Sequence, residues 1–227
     1  MVKVLGNIQV NVLLFMMGLI LTLANPVGAM IVDYSITLNT SSLGGTSGYL
    51  DLQFNPGTIP GTPGAQAITS LFATDGVLQI GDPLTGPIGD VTGSLPGDLT
   101  FLNTTMFNDY FQRITFGNST TFNVNFGGAF LTASSGNHTA FSVSLYDASG
   151  LNPLLTTDQS GAVLIFDLAP GSGGTPGSGT TTPRIVNPSV VTATALTAVP
   201  LPASAALFLT GLSLFAIAYL KFTLKES

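Results

Sequence analysis

Cysteine and tryptophan are absent from this 227-residue chain, histidine occurs once, and only five residues are lysine or arginine. Each gap removes a class of function. Without cysteine no disulfide can staple the fold, even in an oxidising compartment, so packing alone must stabilise it. One histidine with no cysteine cannot assemble the usual zinc site. That residue, His138, sits within Ser134-Ser135-Gly136-Asn137-His138-Thr139, a loop composition that favours a solvated side chain. Glutamate is confined to Glu226, and lysine to Lys3, Lys221 and Lys225. Between residues 30 and 198, ten aspartates face only Arg113 and Arg184, a formal charge of −8. Such a surface has no means of neutralising phosphates, which excludes nucleic acid as a partner. It also repels acidic polysaccharide unless divalent cations bridge the two. Gly45-Thr46-Ser47-Gly48 lacks the spacing of a nucleophile elbow, and no spacing singles out a catalytic carboxylate pair. A non-enzymatic protein is expected.

The long apolar runs lie at the two ends. Lys3 precedes Val10–Ala24, followed by Asn25-Pro26 and Val27-Gly28-Ala29. A charged start, an apolar stretch and small residues at Val27 and Ala29 describe a secretory signal peptide over residues 1–29, cleaved after Ala29. At the other end, Val199-Pro200-Leu201-Pro202-Ala203 opens an uncharged run of 18 residues, Ala203–Leu220. At about 1.5 Å per residue this run spans roughly 27 Å as a helix, enough for a hydrocarbon core. Pro200 and Pro202 prevent that helix from starting earlier. Lys221 and Lys225 then stop transfer and hold the end on the cytoplasmic side.

Val-Pro-x-Pro-Ala, then Leu207-Phe208, Gly211-Leu212 and the basic stub, resembles the PEP-CTERM sorting tail of exported bacterial proteins. Leu201 stands where the family's name places glutamate, and two lysines replace the usual arginine cluster. The resemblance implies recognition and cleavage of residues 199–227 by an exosortase-type protease, after transient membrane anchoring. The product is then expected at the cell surface or in an extracellular, exopolysaccharide-rich matrix such as a biofilm. Gly45–Gly57, Leu95-Pro96-Gly97, Phe107–Phe111 and Ser144–Asp147 are likewise similar to a subfamily of PEP-CTERM proteins, which implies no activity.

The part between the ends is rich in Gly, Thr, Ser, Val and Phe, and its acid is Asp, a turn former, rather than Glu, a helix former. Apolar residues alternate with polar ones at Val32–Leu38, Tyr49–Phe54, Phe122–Phe126 and Phe141–Leu145. Further strands are expected in Ala67–Ala73, Val77–Ile80, Phe111–Phe116 and Val163–Leu168. One apolar and one polar face per strand predicts an all-β domain over residues 30–168. Its expected form is an antiparallel β-sandwich of jelly-roll-like or Ig-like topology. Residues 169–183 are nearly all Gly, Ser, Thr and Pro and read as a flexible spacer. Ile185–Leu196, interrupted by Pro188, reads as a last edge strand or an extended stalk; the stalk is the preferred reading, completing a linker over 169–198.

Two further features bear on binding. Gly-Asp recurs at Gly81-Asp82, Gly89-Asp90 and Gly97-Asp98. The plain reading is turns between short strands; the sharper one is a shallow Ca²⁺ site of Asp82, Asp90 and Asp98. In the absence of tryptophan, Tyr49 and Tyr110 are the candidate platforms for extracellular polysaccharide. Asn-x-Ser/Thr at Asn39, Asn103, Asn118 and Asn137 marks exposed turns.

Overall fold

The computed structural model describes residues 33–59, 61–82, 84–171 and 179–196. The expected signal peptide with Val27 and Ala29, the motif Val199–Ala203, the apolar run 203–220, and Lys221 and Lys225 lie outside the described residues.

Thirteen strands follow one another: β1 (Asp33–Asn39), β2 (Ser47–Pro56), β3 (Gln66–Thr74), β4 (Val77–Leu78), β5 (Gly86–Ile88), β6 (Val91–Gly93) and β7 (Leu99–Leu102), then β8 (Asp109–Thr115), β9 (Ser119–Gly127), β10 (Thr139–Asp147), β11 (Ala162–Ala169), β12 (Thr180–Ile185) and β13 (Val191–Ala195). The helical content among the described residues is two single 3₁₀ turns, Ser41–Leu43 and Ala129–Leu131. Pairing is antiparallel throughout and yields two sheets, the all-β sandwich-like arrangement that the alternation predicts. Sheet A runs β13-β1-β9-β3-β7-β6, and sheet B runs β12-β11-β10-β2-β8-β4, with β5 also on β8. β4 pairs Thr115 and Ile114 while β5 pairs Phe111 to Asp109, so the two form one edge strand broken by residues 79–85.

The alternation places the core. Along β9, Phe122, Val124 and Phe126 point inward while Asn123 and Asn125 point out. Tyr34 and Ile36 on neighbouring β1 join them, and facing residues on sheet B include Leu52 and Phe54 on β2, Phe141 and Val143 on β10, and Phe166 on β11, all buried. The aromatic members meet at angles: Tyr34 to Phe166 at 4.7 Å, Phe126 to Phe166 at 5.1 Å, and Phe126 edge-on to Phe141 at 5.7 Å. Each fully buried side chain of this size contributes about 1.5–3 kcal/mol by leaving water. This packing takes the place of disulfides.

The stalk expected over residues 185–196 is instead part of the sandwich. β12 extends sheet B from Leu164↔Ile185 to Ala169↔Thr180, and β13 flanks β1 from Tyr34↔Ala195 to Leu38↔Val191. Val190 and Val191 enter the core. The prolines mislead for a physical reason. Pro183 lies on an outermost strand, where a missing N–H costs no ladder bond, and Pro188 lies in the turn by which the chain crosses between sheets. The folded body therefore extends beyond Leu168, through Leu196. Of the expected spacer, residues 172–178 lie outside the described residues, but both flanks are held. Gly171 N–H donates to Ala133 O at 2.9 Å, and Gly179 is pressed onto the Phe130 carbonyl with no room for a Cβ.

Candidate functional site

The most unusual chemistry lies on the outer face of sheet B. Register sets three rows of side chains there: Tyr146, Tyr49 and Arg113; Ser144, Asp51 and Phe111; Ser142, Gln53 and Asp109. A solvated row is what the sequence predicts, yet Tyr49 is 1 % exposed, Asp51 2 % and Asp109 7 %. Residues 148–155 fold over this face. Leu154 N–H donates to Leu145 O at 2.7 Å, Pro153 bridges to Tyr146, and Gly150 (φ +72°) approaches the rings of Phe111 and Tyr49. Beneath that cover Tyr49 stacks on Phe111, centroids 4.3 Å apart and nearly parallel. The Arg113 guanidinium sits 5.6 Å from the Tyr49 ring centre and pairs with Asp82 at 3.0 Å.

Asp51 and Asp109 occupy diagonal positions across β2 and β8, and their carboxyl groups lie within hydrogen-bonding reach of each other. Gln53 Nε2 donates to Asp51 Oδ2 at 2.8 Å, and Asn55 Nδ2 holds Gln53 Oε1 at 3.1 Å. Asp51 Oδ1 and Asp109 Oδ1 are buried without a donor. Burial, then the bond to Asp109 and its charge, push the Asp51 carboxyl well above the ordinary range against the opposing Gln53 bond. Burial raises Asp109 as well, while its bond with Asp51 works the other way. The pair can hold a proton, but it is closed to a substrate.

The residues expected to bind are placed otherwise. Tyr49 is covered as described. Tyr110, 2 % exposed, faces the core, where its hydroxyl accepts the Leu95 N–H at 3.1 Å. Neither ring is open to a sugar, because β2 and β8 are packed on both faces. Asp82, Asp90 and Asp98 fall in the connections between β4, β5, β6 and β7 and are not brought together. Asp82 is paired with Arg113, Asp90 accepts from Thr104 Oγ1, and Asp98 is exposed. Among the described residues no three acidic or histidine side chains converge where an ion would sit. His138 Nδ1 meets Asp167 Oδ1 at 2.8 Å on the surface, both about half exposed.

Two asparagines were missed as structural centres. Asn108 is buried; its Nδ2 donates to Phe54 O at 2.8 Å and Thr105 O at 2.9 Å, and its Oδ1 accepts the Asp90 N–H at 2.8 Å. Asn103, expected at an exposed turn, is also buried, donating to Pro63 O at 3.0 Å and Thr139 Oγ1 at 2.8 Å. The available signal was Asn108 immediately before a strand, where a side-chain amide can satisfy backbone groups that the ladder leaves open.

The outer face of sheet A differs. It carries Ser35, Thr37, Asn123, Asn125, Ser70, Thr192 and Thr194, half-buried or exposed, with Asp33 as carboxylate bonded by Asn125. A depression of about 140 Å³ opens among Asp33, Ser70, Asn123, Asn125, Val124 and Leu196. No known protein family, curated protein or solved structure matches the chain.

Proposed function

We propose that this is an exported, non-enzymatic surface or extracellular-matrix protein of the PEP-CTERM type. Its signal peptide carries it out, and an exosortase-type protease processes its C-terminal tail at the membrane. The supporting observation is where the folded body closes. Leu196 N–H donates to Asp33 O at 2.7 Å, and β1 and β13 lie side by side. Every described strand and core side chain lies between residues 33 and 196, as a cargo with detachable addresses requires. The order β1-β9-β3-β7 against β2-β8-β4, with successive strands crossing between sheets, supports a jelly-roll-like reading over an Ig-like one; β13 and β10–β12 extend the two sheets. Intact-mass spectrometry of the protein from its native cells tests the proposal. A mature form beginning at Met30 and ending near Pro200–Ala203 is expected, and a chain still ending at Ser227 refutes processing.

A second reading, binding of extracellular polysaccharide, is favoured by the outer face of sheet A. Its hydroxyls and amides suit a neutral glycan, and the exposed Leu196 offers apolar contact within the depression. Pull-down on the producer's own polysaccharide, weakened at least tenfold in Asn123→Ala/Asn125→Ala, is the expected result. Unchanged binding by that variant sinks this reading.

A further inference from the structure

We infer that Asp51 and Asp109 hold one proton between them as an acid–carboxylate pair, and that loss of this proton in alkaline medium loosens the β2–β8 seam on which the edge strands β4 and β5 depend.

The geometry requires something between the two groups. Each Oδ1 is buried and has no donor, and a desolvated carboxylate oxygen without one is costly. Two ionised carboxylates in contact would also repel each other at low dielectric. A single O–H···O⁻ bond satisfies both orphan oxygens and removes one charge. Gln53 occupies Asp51 Oδ2, so Oδ1 is the atom left to meet Asp109. Burial raises both carboxyl groups, so the proton belongs to the pair.

Among the described residues the surroundings supply no free cation to do this instead. Tyr49 on β2 lies in the neighbouring row, stacked on Phe111. Arg113 on β8 is held by Asp82, from the segment between β4 and β5, and lies over the Tyr49 ring. Tyr146 on β10 is pushed up by burial and then by the charges of Asp51 and Asp109, so it stays neutral. β5, which pairs with Asp109 through Ile88, carries no titratable side chain. Since β4 and β5 pair only with β8 among the described strands, any strain at β8 is transmitted to them.

Thermal unfolding of the full chain in detergent at pH 5 and pH 9, with EDTA and with millimolar Ca²⁺, tests the inference. A raised folded-state pKa stabilises below the ordinary carboxylate range, and that stabilisation is lost as pH rises through the raised value. Wild type is expected to lose about 5 °C or more in Tm from pH 5 to pH 9. Asp51→Asn and Asp109→Asn, whose amides can donate to the remaining carboxylate, are expected to lose most of that slope. A slope kept in both variants overturns the inference. So does a Ca²⁺-dependent rise in wild type that the variants lack, which would make the occupant a cation. Infrared spectroscopy of the wild type needs no variant. A protonated-carboxyl C=O band at pH 7 that vanishes on alkaline titration is expected, and its absence at pH 7 refutes the pair.

Discussion

The outer faces of the two sheets are made from the same kind of alternating strand yet reach opposite environments. On sheet A, Thr37 and Asn125 are exposed and Ser35 and Asn123 partly so, as their polarity suggests. On sheet B, Tyr49, Asp51 and Ser144 occupy equivalent outward positions and are buried. The strands do not differ in pattern; what differs is the cover. Residues 148–155 return over sheet B, and no comparable segment among those described crosses sheet A. Alternation assigns a side chain to a face. Whether that face is dry depends on a connection elsewhere in the chain.

The severest way to break this contrast is to remove the strands that complete both sheets. Ending the chain at Leu168 takes away β12 and β13 and uncovers Phe166 and Tyr34, so loss of cooperative unfolding in calorimetry is expected. Ending it at Leu196 should leave Tm within about 2 °C, because every described strand and core residue is kept. If the shorter chain folds as well as the longer one, the sandwich does not need its last strands.

Point substitutions sharpen the contrast. Asn108→Ala leaves the carbonyls of Phe54 and Thr105 and the Asp90 N–H unpartnered, and should cost about 3 kcal/mol in urea unfolding. Tyr49→Ala removes a buried, stacked ring and should cost about 3 kcal/mol, although its position is formally outward. Thr37→Ala, at an outward position on sheet A, should stay within about 0.5 kcal/mol. Equal costs for Tyr49→Ala and Thr37→Ala would erase the distinction.

The pH dependence follows from the same contrast. Asn152 and then Ser149 pull Asp147 down to about 2; the Ser119 N–H lowers Asp75, and Ser160 followed by Arg184 lowers Asp158. These exposed groups add stability above the ordinary carboxylate range and lose it as pH falls through their depressed values. The covered Asp51–Asp109 pair acts with the opposite sign, losing stability as pH rises. Calorimetry from pH 2 to pH 10 should therefore place maximal Tm on the weakly acidic side, at about pH 4–6. Asp51→Asn should move that maximum upward. A wild-type maximum at pH 8 or above would contradict the burial of the pair.

Much of this architecture was legible beforehand. Val124 between Asn123 and Asn125, or Leu52 between Asp51 and Gln53, states a strand and its core side directly. β7 escaped because Leu99–Leu102 offers only four residues, and β12 and β13 because Thr-rich segments containing proline look like linker until a partner edge is known. The acid pair was hidden for a similar reason. Asp51 was correctly placed opposite Leu50 and Leu52, but neither the covering segment nor the approach of Asp109, 58 residues away, is encoded locally. The Gly-Asp repeat shows the converse. Its even spacing reflects three successive connections, and regular spacing along the chain does not place Asp82, Asp90 and Asp98 together in space.

The pairing of β1 with β13 has a kinetic corollary for a chain synthesised from its N-terminus. Asp33–Asn39 finds β9 on one side early, but its other edge waits until Val191–Ala195 has also emerged. At ordinary synthesis rates that interval is on the order of ten seconds. Throughout it, an incomplete sheet presents open backbone and the aromatic flank of Tyr34 to whatever else is in the compartment. Under the proposed function, a tail anchored at the membrane would keep the nascent cargo there until this final strand has closed.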